Sequence, residues 1–133
     1  MKNALFAFAA SAALLAACND GNDAAEDKME AAAEQSAVAA GNAEAALGLT
    51  EAQLLDAELL GPDNVELGDV ASVVRGANGE VEQLLIEIED SNPDRFVRVP
   101  ITDLSPVRRG DDTDLSTAMT AEQLSALPDA PIE

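Results

Sequence analysis

Alternating apolar and polar residues in the second half of the chain predict short β-strands. The segments with this period-2 pattern are residues 65–76, 81–90, 96–101 and 113–118. In the most regular of them, Leu84, Ile86 and Ile88 fall on one face, while Glu87 and Glu89 fall on the other. That division is typical of a strand with one buried face. We therefore expect the aliphatic faces of these strands to form the core.

The segment 65–76 contains a change of phase. Val65 and Leu67 have one parity, whereas Val70 has the other. Gly68 lies between the two sets. A β-bulge or sharp bend at this glycine would bring all three apolar side chains to the same face.

Turn and capping residues separate and flank the strands. Asn78-Gly79 predicts a tight hairpin, because both residues tolerate positive φ. Thr50-Glu51-Ala52-Gln53 and Thr120-Ala121-Glu122-Gln123 match the capping box that begins a helix. A polar loop is expected through Arg108-Arg109-Gly110. The pattern thus predicts a mainly β fold, a small antiparallel barrel or curled sheet with short flanking helices.

The order of these features resembles the PRC-barrel family over about Leu49 to Pro128. The resemblance rests on Leu59-Leu60-Gly61, Leu67-Gly68-Asp69-Val70, Asn78-Gly79, Val99-Pro100-Ile101 and the closing Thr120 to Pro128. It implies a PRC-barrel-like antiparallel β-barrel that serves as an assembly or adaptor module. The family supplies no shared catalytic residues, so the resemblance assigns none here.

The first residues have the features of a secretory signal. Lys2 precedes an apolar run at residues 4–17, which is shorter than the roughly 20 residues of a membrane-spanning helix. Leu15-Ala16-Ala17-Cys18 resembles the lipobox of bacterial lipoproteins. The resemblance implies cleavage between Ala17 and Cys18, with acylation of Cys18. It also implies a lipid-anchored protein of the bacterial cell envelope that faces the periplasm, and Asn19 favours the outer membrane over the inner one.

The predicted organisation has three parts. Residues 1–17 form a lipoprotein signal peptide, 18–48 the lipidated cysteine with an acidic, alanine-rich linker, and 49–133 the PRC-barrel-like domain. The linker contains strong helix formers but no sustained apolar stripe, so it is expected to be disordered or partly helical. A spacer and a helix that docks on a partner both remain open.

The amino-acid composition excludes several classes of function. The chain has 26 acidic against 7 basic residues and a formal net charge of -19, so it would repel a nucleic-acid backbone. It has no histidine and one cysteine, which removes the commonest general base and metal ligand and any intramolecular disulfide. We predict no enzymatic activity and no cofactor. The expected partners are a membrane, through the lipid anchor, and a protein that the sequence does not identify.

Two acidic loops are candidates for binding a divalent cation. They contain Asp90, Asn92 and Asp94, and Asp111, Asp112 and Asp114. The first loop begins like an EF-hand, but Arg95 and Ile101 occupy the positions that require Gly and Glu. Low-affinity binding of calcium or magnesium through carboxylate oxygens is the alternative function. Solvated loops are the structural alternative.

Four arginines concentrate the positive charge of the predicted domain. They are Arg95, Arg98, Arg108 and Arg109. Either these side chains pair with neighbouring acids, or they form a basic edge that meets an anionic partner or headgroup. The sequence leaves both open and predicts a binding or scaffolding role at the aqueous face of the membrane.

Overall fold

The computed structural model describes residues 21–132, in which helices and strands are mixed. The helices are α1 (Gly21–Ala40), α2 (Glu51–Leu55) and α3 (Ala121–Ser125). The strands are β1 (Glu44–Ala46), β2 (Leu49–Thr50), β3 (Glu58–Leu60), β4 (Glu66–Arg75), β5 (Val81–Ile88), β6 (Phe96–Pro100), β7 (Ser105–Arg109) and β8 (Asp112–Ser116). Single 3-10 turns occur at Pro62–Asn64 and Ile101–Asp103. The expected mainly β class is therefore corrected to a mixed one, because α1 adds a long helix to the sheet.

The main sheet has six strands in the order β6-β5-β4-β3-β8-β7. Its neighbours are antiparallel except for β3 and β8, which are parallel. Strands β6 and β7 are at the two ends of this order and do not pair with each other. The expectation of a wholly antiparallel sheet is thus wrong at β3–β8, since the β7–β8 hairpin returns beside the first strand of the β3–β6 meander.

Strand β4 contains the predicted irregularity. In its pairing with β3, Leu67 is an extra residue beside Gly68, and a second shift against β5 occurs at Ala71. Leu67 and Val70 are both buried, as the change of phase predicted. Val65 precedes the strand and is 55% exposed, so its expected place on the buried face was wrong.

The segment that contains Arg108 and Arg109 is a strand rather than the expected loop. It forms β7 and pairs with β8 through a tight turn in which Gly110 has a φ of 64°. Four of the five residues of β7 are exposed and none is buried, so no apolar alternation marks it. Backbone pairing with β8 forms this strand without a hydrophobic face.

The predicted hairpin and capping boxes are present. Gly79 has a φ of 83° in the turn between β4 and β5. Thr50 Oγ1 accepts from the backbone of Gln53 at 3.2 Å, and the Gln53 side chain accepts from the Thr50 backbone at 2.9 Å. Thr120 and Gln123 repeat the arrangement at the start of α3. These short-range motifs hold because their partners are only a few residues apart.

Helix α1 packs on the folded part of the chain. Met29, Ala33 and Ala37 are buried at intervals of four residues, which places them on one face of the helix. The helix contacts α2 and β4. The predicted linker is thus helical over Gly21–Ala40, and this helix packs on the sheet. Sequence inspection missed the stripe because two of its three members are alanines.

The two faces of the sheet have separate apolar clusters. The larger cluster contains residues of β3, β4, β5, β6 and β8 together with Leu54 of α2 and Leu124 of α3. The smaller cluster contains Met29, Leu85 and Phe96. Consequently β5 is apolar on both faces at its centre, where Leu84, Leu85 and Ile86 are all buried.

Candidate functional site

Three carboxylates meet where α1 crosses the sheet. Glu26 of α1, Glu87 of β5 and Asp94 of the β5–β6 turn each place an oxygen within 4.8 Å of the others. We call this group the acidic seam. Glu26 comes from α1, so the helical packing described above brings together groups that are 61 and 68 positions apart in the chain.

The environment of the seam favours protonation. Partial burial, followed by the charges of Asp94 and Glu30, raises the pKa of Glu26. Partial burial also raises the pKa of Glu87, with Glu26 and Asp94 adding to the effect. Both shifts have the same origin, because desolvation and nearby negative charge each disfavour the carboxylate form.

A second group of carboxylates lies near the first residues of β4, where Asp69 pairs with Glu87 of the seam. Glu66, Asp69 and Glu89 also bring oxygens within 4.8 Å of one another, and all three are exposed. The charge of Glu58 raises the pKa of Glu66. Burial, followed by the charge of Glu58, raises the pKa of Asp69.

The structure arranges the predicted cation candidates differently from the sequence. Of Asp90, Asn92 and Asp94, Asp94 alone joins a carboxylate cluster found in residues 21–132. Asp90 adopts a positive φ of 57° in the turn. Sequence neighbours were the wrong guide, because the partners of Asp94 come from α1 and β5.

The second predicted loop has one buried member. Asp111 and Asp112 are exposed at the β7–β8 turn, whereas Asp114 is buried. Asp114 accepts from the backbone N–H of Glu58 at 3.1 Å and pairs with Arg109 at 3.1 Å. Its carboxylate therefore links β8 to β3 and already has protein partners.

Two of the four candidate arginines form ion pairs. Arg95 pairs with Asp129 at 2.5 Å and also donates to the carbonyls of Ser125 and Leu127. In this way Arg95 holds the segment after α3 against the start of β6. Arg109 pairs with Glu58 and Asp114, both at 3.1 Å.

The other two arginines are at opposite edges of the sheet. Arg98 on β6 and Arg108 on β7 are exposed, and neither has an ion-pair partner among the described residues. Arg98 borders a depression next to Met29 and Leu85. Pairing with neighbouring acids is therefore confirmed for Arg95 and Arg109, whereas Arg98 and Arg108 are on different edge strands and do not form one basic edge.

An ion pair with one buried member lies beside α1 and was not predicted from the sequence. Glu51, which is 1% exposed, accepts from Arg75 at 2.8 Å. Its second oxygen, Oε1, is buried without a hydrogen-bond partner among the described residues. Arg75 also donates to the carbonyl of Gly79 at 2.9 Å. The pair therefore connects the first turn of α2 to the β4–β5 hairpin.

A groove separates part of α1 from the sheet. It has a volume of about 620 Å³ and is lined by Ala33 and Ala37 on the helix and by Val70 and Ala71 on β4. Carboxylates at its rim include Glu30 and Asp69. Small side chains on both sides leave the space open.

No protein-family model matches the chain, and a search of curated proteins also finds no match. None of the helices within residues 21–132 is long and apolar enough to cross a membrane. The predicted signal peptide and the cleavage and acylation site at Ala17 and Cys18 lie outside the described residues.

Proposed function

We propose that this protein is a bacterial envelope lipoprotein that carries a non-catalytic adaptor module. Its anchor is Cys18, acylated after cleavage at Ala17, and the folded part faces the periplasm. The observation that carries the proposal is Leu15-Ala16-Ala17-Cys18 at the end of an apolar run that follows Lys2. Two or three acyl chains would hold the protein at the membrane, since each buried methylene contributes roughly 0.8 kcal/mol.

We further propose that the sheet curls into a PRC-barrel-like shape. Strands β6 and β7 are at opposite ends of the six-strand order, yet only residues 101–104 connect them. In a flat sheet, five spacings of about 4.8 Å would separate these strands by about 24 Å. The connection from Pro100 to Ser105 can span only about 18 Å. Strong curling brings the two edges within reach of this connection.

An adaptor role agrees with the chemistry of the described surface. The chain has no histidine, and Asp114 and Glu51 are engaged in ion pairs. The exposed features include a strongly acidic exterior and two sheet edges, each with an arginine that has no ion-pair partner among residues 21–132. Cross-linking in membranes with the intact lipoprotein, followed by identification of the captured protein, would name the partner.

The anchor can be tested by replacing the cysteine. We expect Cys18→Ala to lose metabolic labelling by palmitate and to move from the membrane fraction to the soluble fraction. Asn19→Gln changes the adjacent residue and should keep both properties, which makes it the matched control. Retention of Cys18→Ala in membranes after a high-salt wash would contradict the proposal.

Divalent-cation binding is the second candidate function. The observation that favours it is the acidic seam, in which three carboxylates from three elements approach within 4.8 Å. Oxygen ligands of this kind suit calcium or magnesium. The seam keeps Asp94 from the two loops that the sequence suggested and adds Glu26 and Glu87 to it.

A calcium titration with thermal unfolding tests this candidate. We expect millimolar calcium to raise the unfolding midpoint more than sodium chloride of equal ionic strength. Glu87→Gln should remove the difference, since it deletes one ligand charge from the seam. Asp111→Asn, in an exposed turn outside the seam, is the control that should keep it. An equal response to both salts would exclude specific binding.

A further inference from the structure

The interface between α1 and the sheet has few large apolar contacts. Its buried helix residues are Met29, Ala33 and Ala37, and the groove beside them remains open. Alanines contribute little apolar area, and most of the stability of a helix in a protein comes from the packing of its apolar face. The helical state of α1 therefore depends on a contact that is small.

Negative charges face one another across this interface. The acidic groups at the seam and the groove are Glu26, Glu30 and Glu34 of α1, Asp56 after α2, Asp69 of β4, Glu87 of β5 and Asp94 of the β5–β6 turn. Asp23 and Asp27 of α1 add to the negative potential at Glu26.

Basic groups do not offset this charge. Lys28 of α1 is exposed and has no ion-pair partner among residues 21–132. Arg75 and Arg98 border other depressions beside Met29, and Arg75 is already paired with Glu51. The seam and the groove rim thus carry uncompensated like charge from both sides.

We propose that α1 is a reversible cover of the sheet, which like charges across the acidic seam push away and which charge neutralisation holds in place. Release of the helix would remove Met29 from the cluster that it forms with Leu85 and Phe96. It would also open the groove along β4. The cover therefore controls access to an apolar part of the sheet.

The dependence on ionic strength follows from the placement of the acidic groups. The seam carboxylates approach within 4.8 Å of one another across the interface, and Glu30, Glu34, Asp69 and Asp94 are exposed. Salt screens the repulsion between solvent-exposed charges. Docking therefore strengthens as the salt concentration rises at constant pH.

Hydrogen exchange of the full chain at pH 7, in low and in high sodium chloride, measures docking directly. Protection of the α1 amides should rise about fivefold with salt, since a like-charge contact of about 4 Å costs about 1 kcal/mol in water. The amides of β4 and β5 report on the remainder of the fold and should keep their protection. A parallel gain in these strands would overturn the proposal, because it would indicate a general effect of salt on stability.

Variants that remove charge from the sheet side of the seam distinguish weaker docking from a change in the intrinsic helicity of α1. Glu87→Gln/Asp94→Asn leaves the sequence of α1 unchanged and should raise α1 protection about fivefold in low salt at pH 7. It should also weaken the salt dependence. Asp103→Asn/Asp111→Asn removes the same charge from exposed positions outside the seam and the groove, and should match the wild type.

Two results with these variants would overturn the proposal. One is unchanged α1 protection in Glu87→Gln/Asp94→Asn. The other is an equal gain in Asp103→Asn/Asp111→Asn, which would assign the effect to net charge rather than to the seam.

Discussion

Replacing Gly68 by alanine should lower the free energy of unfolding by about 3 kcal/mol, the upper part of the range for overpacking a filled core. A methyl group at this position would overlap the backbone carbonyl oxygen of Glu87 and lie 3.0 Å from Cγ2 of Ile86. Gly68 is in β4, which has β3 on one side and β5 on the other. Because a backbone atom causes the overlap, a change of side-chain rotamer cannot relieve it. Urea unfolding measures the loss.

Gly76→Ala is the matched control for this prediction. A methyl group there meets only the carboxylate end of Glu82, which is exposed and free to rotate away. Its cost should stay below about 1 kcal/mol, the usual size of a surface change. If both variants lost the same free energy of unfolding, the close approach of β4 to β5 would not explain why residue 68 is glycine.

Replacing Arg75 by methionine should cost about 3 kcal/mol, the scale for removing one partner of a buried ion pair. Glu51 is 1% exposed and would lose its donor to Oε2, while its Oε1 has no hydrogen-bond partner among the described residues. The Arg75 side chain is itself 39% exposed, which places the effect at the lower end of that scale. The lost hydrogen bond to the carbonyl of Gly79 adds to the cost. Chemical denaturation at pH 7 gives the difference.

A double-mutant cycle tests the cause. Glu51→Met/Arg75→Met removes both charges, so it should be more stable than Arg75→Met by about 2 kcal/mol. Arg108→Met deletes an exposed arginine without an ion-pair partner in residues 21–132 and should change stability by less than about 0.5 kcal/mol. If the double variant were as unstable as Arg75→Met, the buried charge of Glu51 would not be the reason.

The sequence predicted features whose partners are close in the chain. The capping boxes at Thr50 and Thr120, the Asn78-Gly79 hairpin and the phase change beside Gly68 are all present. Each depends on backbone preferences and on side chains within a few positions. Strand β7 was missed because its residues carry no alternation, and pairing with β8 alone makes it a strand.

The candidate site could be predicted only in part. Asp94 was identified, but its neighbours Glu26 and Glu87 come from a helix and a strand that are distant in sequence. Asp114 was identified as a possible ligand, yet its carboxylate binds the Glu58 backbone and Arg109. Carboxylates become ligands, ion-pair partners or repelling groups according to what tertiary packing places beside them.

By itself the sequence determined the local elements, the acidic character of the chain and the lipobox resemblance on which the proposed anchor rests. Periodicity, capping and turn chemistry are properties of short segments, so they can be read without knowledge of the fold. Tertiary structure alone decided that α1 packs on the sheet, that β3 and β8 are parallel and that carboxylates from three elements meet at the seam. These features arise from contacts between segments that are distant in sequence. The local hydrophobic pattern does not reveal such contacts, because the residues that form them are small apolar residues and like charges.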